Sequence, residues 1–157
     1  SEHPVQPDFM PDRYESGSHN AIGIAGLAAG VQWLLTQGIQ AISEHDRLLS
    51  RTFIDATAGI EGLRVFGPTS VEDRVGVFSV RVDGYEPLEL SAILESQFGI
   101  LTRSGLHCAP YAHQTIGTLA IGGTTRLSFG PFLTDSDVAH AADALVQLAL
   151  SSCPEKT

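Results

Sequence analysis

A chain of 157 residues, 43% hydrophobic and 17% charged, can form one globular domain with a buried core and is too apolar for a disordered or fibrous segment. Its formal net charge is −9 and it has no run of Lys or Arg, so it lacks the surface that binds a phosphate backbone by releasing counterions, and no nucleic-acid partner is expected. No apolar stretch approaches the roughly 20 residues of a membrane span, and the opening SEHPVQPDF has neither the basic start nor the apolar core of a signal peptide, so a soluble, cytoplasmic protein without a membrane partner is expected.

Residues 1–18 carry Pro4, Pro7 and Pro11 and then a small polar run, which reads as an extended lead-in segment. The chain starts at Ser1 and its single methionine is Met10, a beginning that reads as a cut rather than a translation start. From about Asn20 the residues Ile24, Leu27, Val31, Leu34 and Leu35 recur at helical spacing, with Gly38 as C-cap. Gly23, Gly26 and Gly30 weaken that helix by roughly 1 kcal/mol each relative to Ala, and close packing against another element is their expected reason. A second helix is predicted from about Ile39 to Ala58, with Ile42, Leu49 and Phe53 inward and Glu44, Asp46, Arg47 and Arg51 outward.

The period then switches. Leu63–Phe66 and Val75–Val82 read as strands, the second with Phe78, Val80 and Val82 on one face, and Gly67-Pro68 and Asp83-Gly84 punctuate them. Leu88–Phe98 returns to helix, Gly99 stops it, and Ile100-Leu101-Thr102 is predicted to be a short strand. A loop follows, then a strand over Thr125–Phe129. Thr134 or Asp135 caps a last helix with Val138, Ala142, Leu145, Val146 and Leu148 inward. The fold class expected is α+β, an antiparallel sheet of three to four strands with helices on one side, over residues 19–150, followed by a polar tail over 151–157. A doubly wound nucleotide fold is disfavoured, because no Gly-rich fingerprint follows a strand and opens a helix.

The densest polar stretch is Arg103-Ser104-Gly105-Leu106-His107-Cys108-Ala109-Pro110, directly after the short predicted strand. A thiol becomes a nucleophile when positive charge or a base favours its thiolate, and Arg103 and His107 are both at hand for Cys108. The alternative is a buried, inert cysteine. The other cysteine, Cys153, sits in the polar tail, and two are too few for a disulfide scaffold. His107, Cys108 and His113 lack the recurring paired spacing of a zinc site, so no metal is expected. His45 and His140 read as solvated surface residues. Arg126 stands inside an apolar strand, where a guanidinium needs an anion; on the residues alone a structural salt bridge is favoured over a ligand. Ser18, beside Gly17 at a helix start, is either an N-cap or a phosphate contact.

Three blocks resemble, in order, the C-terminal part of class V aminotransferase-like enzymes of PLP fold type I, in particular the cysteine desulfurases. Arg13-Tyr14-Glu15-Ser16-Gly17-Ser18-His19-Asn20 resembles Arg-Phe-Glu-x-Gly-Thr-Pro-Asn. Arg103 to Ala109 resembles Arg-[ST]-Gly-x-His-Cys-Ala, and Arg126-Leu127-Ser128-Phe129 with Thr134 resembles the family's closing block. The resemblance spans nearly the whole chain, and the cysteine block is its most specific part. It departs at His19, where proline is usual, and at Leu106, where histidine is common.

The resemblance implies a small C-terminal domain in which Cys108 attacks the sulfur of L-cysteine bound to pyridoxal phosphate, keeping a persulfide and releasing alanine. It implies that Arg126 binds the substrate carboxylate, with Arg103 and His107 beside it, and that Gly17 and Ser18 reach the cofactor phosphate of the neighbouring subunit of a homodimer. Expected partners are the chain's own N-terminal PLP domain and a sulfur-acceptor protein, of the kind used in iron–sulfur cluster assembly or tRNA modification. The family's cofactor-anchoring lysine lies upstream, whereas the single lysine here is Lys156, so this chain is expected to bind no cofactor and to be inactive alone. A selenocysteine lyase, an aminotransferase-like relative, or a non-catalytic interaction domain are the alternatives.

Overall fold

The computed structural model describes residues 4–15 and 17–152. Ser16, Cys153 and Lys156 lie outside them. The chain divides into two compact units, residues 1–41 and 42–157.

In the first unit, turns lead into α1 (Ala21–Gln37). Its N-cap is Asn20, whose Oδ1 accepts the Gly23 N–H at 2.9 Å. The N-cap alternative for Ser18 therefore fails, because the helix starts two residues later, where an Asx side chain can reach back. Gly38, at φ 83°, closes the helix by donating its N–H to Leu34 O. Within the described residues of this unit a Cβ at Gly26 or Gly30 would meet nothing within 4 Å, so the unit itself does not supply the packing expected of these glycines. The apolar side of α1 is exposed as well, Ile22 to 89% and Leu27 to 68%.

The second unit takes up most of α2 (Ile39–Thr57) and then β1 (Leu63–Phe66), β2 (Val77–Val82), α3 (Pro87–Phe98), β3 (Arg103–Gly105), α4 (Pro110–Thr115), β4 (Thr124–Ser128) and α5 (Asp135–Ser152). The sheet is fully antiparallel, in the order β1-β2-β4-β3. The period-2 pattern of β2 sends Phe78, Val80 and Val82 to one face, where β4 adds Leu127. That face is covered by Leu49 and Phe53 of α2, Leu90 and Leu94 of α3, and Val138, Ala142 and Leu145 of α5, forming one core. Phe53, Phe78 and Phe129 stack around each other with ring centroids 4.5 to 5.3 Å apart, a geometry that adds about 0.5–1.5 kcal/mol per pair to the area buried. The α+β sandwich with helices on one side of the sheet is thus the fold observed.

Several local expectations are corrected. The short edge strand lies at Arg103–Gly105 rather than at 100–102, because its partner strand β4 begins at Thr124, opposite Gly105. Ile100 instead finishes the C-terminus of α3 by donating its N–H to Leu94 O. β2 begins at Val77, since the Gly76 N–H is taken by the carboxylate of Asp46 at 3.0 Å. Asp46 is therefore turned to the sheet rather than outward. His45 is half-buried, not solvated, with Nε2 donating to Leu133 O at 2.9 Å. His140 is exposed and its Nε2 donates to Phe98 O. Thr134 is the cap of α5: its hydroxyl accepts from Asp137 N–H, and the Asp137 carboxylate accepts from Thr134 N–H.

Candidate active site

The face of the sheet that the helices leave open carries charge. Its register sets Phe66, Ser79, Arg126 and Arg103 in one row across the four strands, and Arg64 directly opposite Arg81 in the next. Four of the chain's nine basic residues therefore share one face, as two directly opposed like-charge pairs. Such pairs destabilise a sheet unless something else satisfies them. Arg81 is satisfied: Nη1 donates to the carbonyls of Ile121 at 2.6 Å and Gly123 at 3.1 Å, with Glu86 4.0 Å from Nη2. Arg64 lies over the ring of Phe66 at 4.5 Å.

The other pair is not satisfied in this way. Among the described residues neither Arg103 nor Arg126 has a carboxylate partner, and the buried Nε of Arg126 has no hydrogen-bond partner at all. The salt bridge favoured for Arg126 from sequence is not made. A buried guanidinium N–H left open costs of the order of 1–3 kcal/mol, which an anionic ligand would recover.

Cys108 stands beside this pair. The chain leaves β3 through Gly105 at φ 96° and passes through His107 at φ 53° and Cys108 at φ 58°. Two consecutive non-glycine residues in the left-handed region cost about 1–3 kcal/mol each and persist only where the surroundings fix them. The turn closes by Ala109 N–H donating to Leu106 O at 2.8 Å, and Pro110 at the first position of α4 ends it. Cys108 is exposed, so the buried, inert alternative does not hold. Its Sγ lies 3.9 Å from Nη2 of Arg103, within reach of a charge-assisted N–H to sulfur contact.

His107 is half-buried, and its Nε2 is 3.0 Å from the carbonyl of Arg103. A carbonyl only accepts, so Nε2 carries the proton and the neutral ring has its lone pair on Nδ1. Desolvation holds the imidazole below the usual histidine range; the bond to the Arg103 carbonyl opposes this, and the charges of Arg126, His113 and Arg103 reinforce it. The ring is thus a neutral base near pH 7 rather than a second cation.

Cys108, Arg103, Arg126 and His107 are therefore brought together. Gly17 and Ser18 are exposed and belong to the other unit. Sequence reasoning weighed His113 only as a zinc ligand and missed its burial and its partner Thr118: the two are 3% and 1% exposed, with Nδ1 of His113 2.7 Å from the Thr118 hydroxyl. The available signal was Pro110, a helix-opening residue followed by a polar and apolar alternation too short to show a period. A cavity of about 350 Å³ lies elsewhere, lined by residues such as Ile100, Phe129, Leu133 and His140.

The profile of the family described as "Aminotransferase class-V" matches residues 4–140. A probable cysteine desulfurase 2 of Mycobacterium leprae is 32% identical over 82% of this chain, and 30% of its own length is covered. A probable cysteine desulfurase of Pyrococcus abyssi is 33% identical over 90% of the chain and 34% of its own length. The chain thus spans about a third of the length of these curated relatives. Among solved structures, a cysteine desulfurase from Thermococcus onnurineus NA1 superposes with a TM-score of 0.81 at 29% identity, over 90% of this chain and 34% of that one. The chain belongs to the class-V aminotransferase family and groups within it with the cysteine desulfurases.

Proposed function

We propose that this chain is the C-terminal portion of a pyridoxal-phosphate-dependent cysteine desulfurase, in which Cys108 is the nucleophile and Arg126, with Arg103, grips the carboxylate of L-cysteine. The observation that carries this reading is an exposed thiol on a left-handed turn, next to an arginine pair that has no carboxylate among the described residues. An amino acid's carboxylate would relieve both the like-charge opposition and the open Nε–H.

The chemistry then follows from the residues. His107, neutral and with its lone pair on Nδ1, takes the thiol proton, and Nη2 of Arg103, 3.9 Å from Sγ, is placed to donate to the sulfur as it attacks. Sγ of Cys108 attacks the substrate sulfur, forming an S–S bond and breaking the C–S bond. The electron pair of the broken bond stays with the β-carbon, which takes a proton to become the methyl of alanine, and the persulfide remains on Cys108. A sulfur-acceptor protein then removes it.

The described residues fit the amino acid but lack the group that would anchor the cofactor covalently. They contain no lysine, and no orphaned buried polar atom lies at Gly17 or Ser18. The part that anchors the cofactor is accordingly assigned to polypeptide outside these 157 residues, as in relatives about three times as long, and the chain alone is expected to be silent. The exposed Gly17 and Ser18 are available to the cofactor phosphate of a neighbouring subunit in a homodimer. The test is to follow alanine and sulfide release from L-cysteine in the full-length protein and in its Cys108→Ala variant. We expect release by the parent and none by the variant, with the cofactor's absorbance kept in both. Undiminished release by the variant would sink the assignment of Cys108, and loss of the cofactor would make the cysteine structural.

A further inference from the structure

We infer that His113, through its bond to Thr118, is a positioning residue for the nucleophile: the pair ties the far side of the Cys108 turn to the start of β4 and so fixes where Sγ stands relative to Arg126. The strained turn needs such a restraint. On its near side it is held by β3 and by the His107 bond to the Arg103 carbonyl. On its far side α4 is only six residues long and buries only one side chain, His113. A helix that short does not hold itself.

What holds it is a closed circuit of contacts. The His113 N–H donates to Ala109 O at 3.2 Å, one residue past the nucleophile. The Thr118 N–H donates to His113 O at 2.8 Å, and Thr118 O accepts from Gly123 N–H at 2.9 Å. Gly123, at φ 88°, then backs against the carbonyl of Gly105, so closely that a Cβ there would collide with it. Gly105 is where the turn begins. The circuit runs from Gly105 through Cys108, Ala109, His113, Thr118 and Gly123 back to Gly105, and its side-chain link is the 2.7 Å contact between Nδ1 of His113 and the Thr118 hydroxyl. The rings of His113 and His107 are 5.5 Å apart, so a shift of one is felt by the other.

The inference rests on Cys108 being the nucleophile, and a histidine serving only as filler would share its burial. The two are separated by variants that keep shape and change the bond. Thr118→Val is isosteric but cannot bond, and His113→Phe keeps a ring but has no polar atom. Thr118→Ser keeps the hydroxyl, and His113→Asn places an amide near the position of Nδ1.

In a Cys153→Ser background of the full-length protein, we expect His113→Phe and Thr118→Val to slow alkylation of Cys108 by iodoacetamide several-fold at pH 7. The contact from Arg103 to Sγ is then no longer held. We expect kcat for alanine release to fall roughly tenfold to a hundredfold with KM for cysteine near the parent's, as for a misplaced but intact reacting group. His113→Asn and Thr118→Ser should return both readouts towards the parent. If all four variants alkylate and turn over like the parent, or if the bond-keeping pair is as impaired as the bond-breaking pair, the inference is wrong. Should His113→Phe fail to fold, the isosteric Thr118→Val decides. The alkylation rates need no turnover, so a protein that releases no alanine but shows this pattern of labelling would overturn the proposed reaction and leave the positioning role standing.

Discussion

On one face of the sheet Phe78, Val80, Val82 and Leu127 are at most 3% exposed and belong to the core formed with α2, α3 and α5. On the other face the four strands carry Arg64, Arg81, Arg126 and Arg103, one each. One face is explained mainly by the transfer of apolar surface out of water. The other opposes like charges across the strands and leaves a buried N–H open, which folding alone does not explain. The difference locates function: where a fold keeps an arrangement that costs stability, a ligand is the expected reason.

The largest expected effect separates the faces by stability. Phe78→Ala removes a fully buried ring that touches Phe53 and Phe129, and should cost about 3–5 kcal/mol in urea unfolding. Arg126→Ala, on the opposite face, removes the open N–H and one of two opposed charges and should leave stability unchanged or raise it, by up to about 1–3 kcal/mol. Comparable losses from the two would make Arg126 structural and erase the contrast.

Within the arginine face the comparison sharpens on geometry rather than charge. Arg126→Lys keeps the cation but loses the planar fork, so in the full-length protein KM for L-cysteine should rise roughly tenfold or more with folding unchanged. The same change at Arg64, which lies over Phe66, should leave KM where it was. Equal effects at the two sites would point to the net charge of the face rather than to a carboxylate grip.

On the helix-covered side, Thr134→Ala removes the hydroxyl that accepts from Asp137 N–H at the start of α5, and about 1 kcal/mol is expected in thermal or urea unfolding. No change in activity per folded molecule should accompany it.

The covered face was the legible one. Alternation in β2 and helical spacing in α2, α3 and α5 are set by burial, so Phe78, Val80, Leu49, Phe53 and Leu145 could be assigned inward from their spacing alone. The short strand was misplaced by three residues because its position depends on a partner beginning at Thr124, about twenty positions away, and not on its own sequence. Cys108, His107, Arg103 and Arg126 were legible through motif resemblance. That Arg103 and Arg126 face each other was not, since register is a tertiary property. The burial of His113 escaped because α4 is too short to show a period and because a buried histidine is recognised only by its partner, Thr118, five residues on. The helix α1 read correctly as a helix, but spacing cannot say whether an apolar stripe is covered by its own chain.

The smallest expected effect is a pH dependence whose cause differs between the faces. On the covered side, Asp137 is held below the usual carboxylate range, first by the hydrogen bond from the Thr134 hydroxyl, then by that from the Thr134 N–H, with a smaller contribution from His140. On the arginine side, His107 is lowered chiefly by burial. In both cases the unfolded chain holds its proton more tightly than the folded one, so each group contributes stability above its unfolded pKa and loses it as pH falls through the lowered folded value. The two losses fall in separate windows, that of His107 below about pH 6.5 and that of Asp137 below about pH 3.9. Unfolding of the parent and of His107→Gln and Asp137→Asn, measured from pH 7 to pH 3, should therefore show the His107→Gln difference fading first and the Asp137→Asn difference persisting to lower pH. Because both windows reflect partners inside the unit, the order should be unchanged in the Cys108→Ala variant. A His107 difference that grows on acidification would mean that the imidazole is stabilised as a cation, and the neutral base assigned to the arginine face would have to be given up.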